Sequence, residues 1–173
     1  MTTIMKEEPK PVQILIVDDD ADDRLLIREA FDENDLPCRL EFVANGEGMV
    51  RLLKNRLAGS DTDSPEIPNL ILLDLNMPRM DGREALQWIK SQARLKHIPI
   101  VVLTTSDAYE DVRTAYELGS SSFVVKPSSF DELVSTVSAI WNYWCGIVRF
   151  SDSKPDYAMT GNASADGNER INE

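Results

Sequence analysis

Asp18 and Asp19 follow the apolar run VQILIV, Asp74 follows NLILL, Thr104 follows IPIVVL and Lys126 follows SFVV. Three carboxylates, a hydroxyl and an ammonium are the parts needed to hold a divalent cation and to move a phosphoryl group. Carboxylates are hard oxygen ligands of the kind Mg2+ prefers, and that ion keeps several waters, so one or two direct carboxylates suffice. Two carboxylates about 4 Å apart repel by roughly 4 kcal/mol at an effective dielectric of about 20. The stretch ILIVDDDADD (Ile14–Asp23) therefore needs something to offset its charge. A cation bound by Asp18, Asp19 and Asp74 is one answer. Capping of the following helix is the other, and it is the expected role of Asp20, Asp22 and Asp23. Asp74 can act as a nucleophile toward phosphorus, giving an aspartyl phosphate. Such transfer rests mainly on positioning and charge neutralisation. Lys126 offers an ammonium to one phosphoryl oxygen and Thr104 a hydroxyl to another. Asn76, two residues after Asp74, can give its backbone carbonyl to the metal.

These side chains act together only if their strands end at one rim. Short apolar runs do alternate with segments of helical period. Strands are expected at Val12–Val17, Leu40–Ala44, Asn69–Leu75, Ile98–Leu103 and Ser122–Lys126. Helices are expected at Asp23–Asn34, Glu47–Gly59, Gly82–Gln92, Asp107–Gly119 and Ser128 to about Ile147, with a polar loop at Ser60–Pro68. Strands apolar on both faces, alternating with helices, imply a parallel sheet covered on both sides. Right-handed crossovers then give an α/β, flavodoxin-like, doubly wound sheet of order 2-1-3-4-5. Ligands of such sheets bind outside the carboxyl ends of the strands, near the switch point between the first and third. Asp18, Asp19, Asp74, Thr104 and Lys126 all fall there.

The chain's 173 residues suit one domain, expected over 11–150, between a flexible segment at 1–10 and a polar tail at 151–173 rich in Ser, Asn, Asp and Gly. A formal net charge of −12 argues against sequence-independent binding of nucleic acid or anionic lipid. Cys38 and Cys145 form no close-spaced motif and read as reduced thiols. The start, MTTIMKEEPKP, has no signal-peptide run, and no stretch approaches the ~20 apolar residues that span a membrane, so a cytoplasmic location is expected. His97, the single histidine, precedes the fourth strand and reads as a surface residue.

Together the blocks VDDD, LLDLNMPRMDG, VVLTTS and FVVKP resemble the signature of receiver domains of bacterial two-component response regulators, over about Val12 to Ile147. The resemblance implies that Asp74 is the phosphoacceptor and that Asp18 and Asp19 are the acidic pair that holds Mg2+. It implies that Thr104 is the switch hydroxyl, Lys126 the family's lysine, and Phe123 the aromatic that swings inward on activation. The donor it implies is a phosphohistidine on a sensor histidine kinase. The loop Ser60–Pro68, the pair Thr104-Thr105 and the NYWCG stretch narrow the resemblance to stand-alone receivers, among them those paired with bacterial phytochromes. Trp141 and Trp144 exceed what one helix needs for its core, which points to a homodimer through the fourth helix, fifth strand and fifth helix. Many receivers carry Ala or Gly after the switch hydroxyl. Thr105 departs from that pattern, and its bulk implies slow self-dephosphorylation.

Three other readings fit less well. A haloacid-dehalogenase-type phosphatase also uses an aspartate nucleophile, but Asn76 stands where it needs its second aspartate. A flavin-binding protein would need a phosphate loop where DDDADD repels phosphate. A phosphorylation-independent, receiver-like binding module has no need of the full set Asp18, Asp19, Asp74, Thr104 and Lys126. With no output domain in the polar tail, output is expected by contact with an effector or a phosphotransfer protein.

Overall fold

The structure, a computed structural model, describes residues 11–59 and 66–150. The segments expected to be flexible at 1–10 and 151–173, and most of the expected loop Ser60–Pro68, lie outside the described residues. Strands and helices alternate: β1 (Val12–Val17), α1 (Ala21–Glu33), β2 (Cys38–Val43), α2 (Gly46–Ala58), β3 (Leu70–Leu73), α3 (Gly82–Ser91), β4 (Ile100–Thr104), α4 (Tyr109–Glu117), β5 (Ser122–Val125) and α5 (Phe130–Trp141). All pairings are parallel and the order is β2-β1-β3-β4-β5. This is the doubly wound, flavodoxin-like sheet that the alternation implies.

Strand periodicity explains the two cores. Successive side chains of a strand point to opposite faces. Leu15, Val17, Ile71 and Leu73 meet Met49 and Leu53 of α2 and Leu86 and Ile89 of α3. Their neighbours Ile14, Ile16, Leu70 and Leu72 meet Ile27 and Phe31 of α1 and Val137 and Ile140 of α5. Both faces of β1, β3 and β4 are thereby closed to water, which is why those runs carry no polar alternation.

Two expectations change. The last helix turns π-helical over Asn142–Ile147 instead of running on as one α-helix. Trp141 and Trp144, expected to be spare, are half-buried against the α1/α5 core, and the exposed apolar side chains of that stretch are Tyr143 and Ile147. No peptide bond among the described residues is cis, so the Lys126–Pro127 bond is trans. Cys38 and Cys145 are free. Burial, with the charge of Asp32, pushes the Cys38 thiol up to about 11, and burial, with the charge of Cys38, pushes Cys145 up to about 12.

Candidate functional site

The sheet's hydrogen-bond ladder runs one rung past the strands and fixes the backbone of the site. Asp18 N–H donates to the Val43 carbonyl at 3.1 Å, Asp74 N–H to Val17 at 2.9 Å and Lys126 N–H to Thr104 at 2.7 Å. Each residue is thus held by the neighbouring strand, which is how an apolar run can aim a charge. Asp18, Asp74 and Thr104 are buried, and Asp19 is exposed at the mouth.

Lys126 ties the rim together. Its Nζ donates to Asp18 Oδ2 at 2.7 Å, Asp23 Oδ2 at 2.6 Å and Asp74 Oδ2 at 3.1 Å. An ammonium has three donors, and here all three go to carboxylates. Burial alone would lower the pKa of this ammonium; its hydrogen bonds to Asp18 and Asp23, with the charges of Asp18 and Asp74, outweigh burial and raise it. Lys126 is therefore charged at any ordinary pH. Asp18 is pushed up by its own burial, against the pull of Lys126, with the charge of Asp74 adding to the rise. The pocket is thus short of positive charge, and carboxylate oxygens of Asp18, Asp19 and Asp74 lie within 4.8 Å of one another. A set of hard oxygens with excess negative charge fits a divalent cation.

Asp23 is the residue that sequence reasoning missed. Of the three acidic residues assigned to capping, only Asp20 caps: its carboxylate accepts from Asp22 N–H at 2.8 Å and Asp23 N–H at 3.2 Å. Two backbone donors favour the charged form, and they hold the Asp20 carboxyl below its usual range. Asp22 stays exposed. Asp23, in the first turn of α1, turns inward to Lys126 instead.

Loops 76–81 and 105–108 complete the rim. Asn76 N–H donates to Asp74 Oδ1 at 3.2 Å, and Asn76 Nδ2 stands 3.4 Å from Thr104 Oγ1. Thr104 thus faces the site across Asn76. The loop after Asp74 must return sharply, and Gly82 permits it: Gly82 N–H donates to Leu75 at 2.9 Å. A Cβ at Gly82 would lie 2.2 Å from the Asp74 carbonyl oxygen, so no other residue fits without displacing the Asp74 backbone. Phe123 is half-buried and packs on Leu75, Val102 and Ala115, beside α4. Thr105 is exposed at the rim, and His97 is exposed ahead of β4.

Comparison with known proteins agrees with this geometry. Residues 14–138 match the response regulator receiver domain. The response regulator Rcp1 of Synechocystis is 38% identical over 141 residues, covering 81% of this chain and 94% of that protein. The crystal structure of the phosphorylated cyanobacterial phytochrome response regulator RcpA, 32% identical, superposes with a TM-score of 0.72 over 82% of this chain and 99% of that one. RPA3017, a response regulator in red light signalling of R. palustris, is 28% identical and superposes at 0.73 over 80% of this chain and 97% of that one. A further structure is of Rcp1 in its Mn2+-bound form. The sheet order, the acidic rim with its lysine and the extent of the match lead to one assignment: the chain belongs to the response regulator receiver domain family.

Proposed function

We propose that this chain is a phosphorylation-controlled switch that accepts a phosphoryl group from a sensor histidine kinase onto Asp74. The observation that carries the reading is the convergence of Asp18, Asp23 and Asp74 on Lys126 at the carboxyl rim of the sheet. In the step, an Asp74 carboxylate oxygen attacks phosphorus, the bond from phosphorus to the donor imidazole nitrogen breaks, and the imidazole leaves with its electron pair. Asp18, Asp19 and Asp74, with the Asn76 carbonyl, would hold Mg2+, which supplies charge neutralisation at the phosphoryl oxygens. Lys126 exchanges a carboxylate for a phosphoryl oxygen, and the Thr104 hydroxyl donates to another. Phe123 then follows Thr104 inward. The protein catalyses only its own phosphorylation and dephosphorylation. The phytochrome and red-light regulators among its relatives support a bacterial phytochrome as the kinase. Among the described residues no helix is long and apolar enough to cross a membrane.

Incubation with acetyl phosphate and Mg2+ is expected to add one phosphoryl group, about 80 Da by intact mass. A chelator is expected to abolish the gain. With Thr105 at the rim the adduct is expected to persist, and an aspartyl-phosphate half-life of seconds would count against that part. No gain in the wild-type protein removes the reading as a whole.

Output is by contact with a second copy, an effector or a phosphotransfer protein. Tyr109 and Tyr116 of α4, Val125 of β5 and Phe130 of α5 are exposed, and they support a homodimer through α4, β5 and α5. Sedimentation at tens of micromolar is expected to show a dimer that dissociates on dilution; a monomer at every concentration sinks that contact.

A further inference from the structure

The three carboxylates around the Lys126 ammonium are not equivalent. Nζ stands 3.1 Å from Asp74, 2.7 Å from Asp18 and 2.6 Å from Asp23. Asp18 and Asp74 also belong, with Asp19, to the group of carboxylates that could hold a divalent cation, and Asp23 stands outside that group. Two of the three acceptors are thus shared with a metal and, at Asp74, with phosphorus. Asp23 is the one carboxylate left to the lysine alone.

Asp23 is also firmly placed. It lies in the first turn of α1, where its own N–H donates to the Asp20 carboxylate at 3.2 Å. The next residue, Arg24, ties the same turn to the end of β1. Its Nη1 donates to the Asp18 carbonyl at 2.7 Å, and its N–H donates to the Asp20 carbonyl at 3.1 Å. Behind the turn, Ile27, Ala30 and Phe31 bury the helix against the sheet. A lysine is the opposite case: a compact charge with rotatable donors on a flexible stem. Such a group stands at one point only if a rigid neighbour holds it there. The Lys126 side chain is 10% exposed and that of Asp23 33%, so the bond between them is made largely out of solvent.

We propose that Asp23 is a positioning residue that holds the Lys126 ammonium at the rim while Asp18 and Asp74 are engaged by the cation and the phosphoryl group. One donor of the ammonium stays on Asp23, and the other two are left for phosphoryl oxygens. The role rests on the reading of Asp74 as phosphoacceptor and adds the residue that keeps the lysine in place. Asp23 touches neither phosphorus nor metal; it acts through Lys126. A second consequence concerns the metal ligands. Without Asp23, Lys126 has only Asp18 and Asp74 to bond, so it competes more strongly for oxygens that Mg2+ needs.

The test compares Asp23→Asn, which removes the charge and keeps the shape, with Asp22→Asn, which removes the same charge from the exposed neighbour. Phosphoryl uptake from acetyl phosphate at saturating Mg2+ is followed by intact mass. Mg2+ binding is measured separately by calorimetry, without the phosphodonor. Asp23→Asn is expected to take up the phosphoryl group about 10-fold more slowly, the low end of what loss of such an outer partner costs, and to bind Mg2+ several-fold more weakly. Asp23→Ala is expected to lose at least as much. Asp22→Asn is expected to stay close to wild type in both measurements. In a Lys126→Met background, Asp23→Asn is expected to cause no further slowing, a non-additivity that neither a folding defect nor a general change of charge produces. Unchanged or faster uptake in both Asp23 variants overturns the role. Equal effects of Asp22→Asn and Asp23→Asn overturn it too, as does full additivity with Lys126→Met. Failure of uptake in the wild type, with Mg2+ still bound, overturns the reading of Asp74, and this role with it.

Discussion

The Asp74→Asn variant is expected to gain no mass with acetyl phosphate and Mg2+, under conditions that modify the wild type completely. The two side chains have nearly the same shape, but a neutral amide has no carboxylate oxygen to attack phosphorus. Removing a reacting group of this kind typically lowers a rate by about 10³-fold or more. Stability is expected to move far less. The variant gives up the 3.1 Å bond from Lys126 to Asp74 and keeps an amide oxygen for Asn76 N–H. One hydrogen bond of this kind nets about 1 kcal/mol. Against that loss, repulsion between Asp74 and the buried Asp18 disappears, and that repulsion is one of the causes that push Asp18 up. A thermal or urea midpoint close to wild type, with uptake abolished, is therefore the expected pair of results. Uptake that survives in the variant would place the acceptor elsewhere, with Asp18 and Asp19 next to be tested.

The sheet and most of the site were legible because both depend on pattern. Each site residue lies at the end of an apolar run, and a parallel sheet brings the ends of such runs to one rim, so Asp18, Asp19, Asp74, Thr104 and Lys126 needed no knowledge of side-chain direction. Asp23 did need it. In a stretch with five carboxylates nothing in the spacing says which one turns back from the first turn of α1 toward Lys126, a residue 103 positions away. The same limit separates Trp144, which packs on the core, from Tyr143, which is exposed: both are aromatic, and only the path of the π-helical turn sorts them. The start of α4 was expected at Asp107 and lies at Tyr109, because Ser106 bonds the Ala108 N–H and holds the chain out of the helix for two more residues. The bonds that join Arg83 and Ser106 to Asp111 were invisible for a related reason, since the partners lie on three separate segments and none follows an apolar run.

Lys126→Met is expected to damage stability and phosphorylation together, and the metal should separate the two effects. Methionine keeps most of the length of the lysine stem and removes the one cation that Asp18, Asp23 and Asp74 share. Breaking a buried ion pair from one side costs about 3–5 kcal/mol. The low end applies here, because the Asp23 side chain is 33% exposed and retains water. The sign with pH follows from the lysine. Its folded-state pKa lies above the unfolded one, so its contribution is fully present below the unfolded value of 10.5 and is lost only as pH rises through the folded one. The deficit of the variant should therefore be undiminished from neutral pH up to that range. It should narrow in acid, where protonation of Asp18, whose carboxyl is pushed up by burial, removes part of the repulsion that Lys126 offsets. Mg2+ binds only the folded state, and at 100 times its dissociation constant it returns about 2.7 kcal/mol. Saturating Mg2+ should thus recover most of the urea midpoint of the variant. It should not recover the rate, since loss of a positioned charge at a developing phosphoryl oxygen costs about 10²–10³-fold whatever the fold stability. If Mg2+ restored uptake along with the midpoint, Lys126 would be a counter-ion for the carboxylates alone; if neither quantity fell, the three bonds it makes at rest would carry no energetic weight.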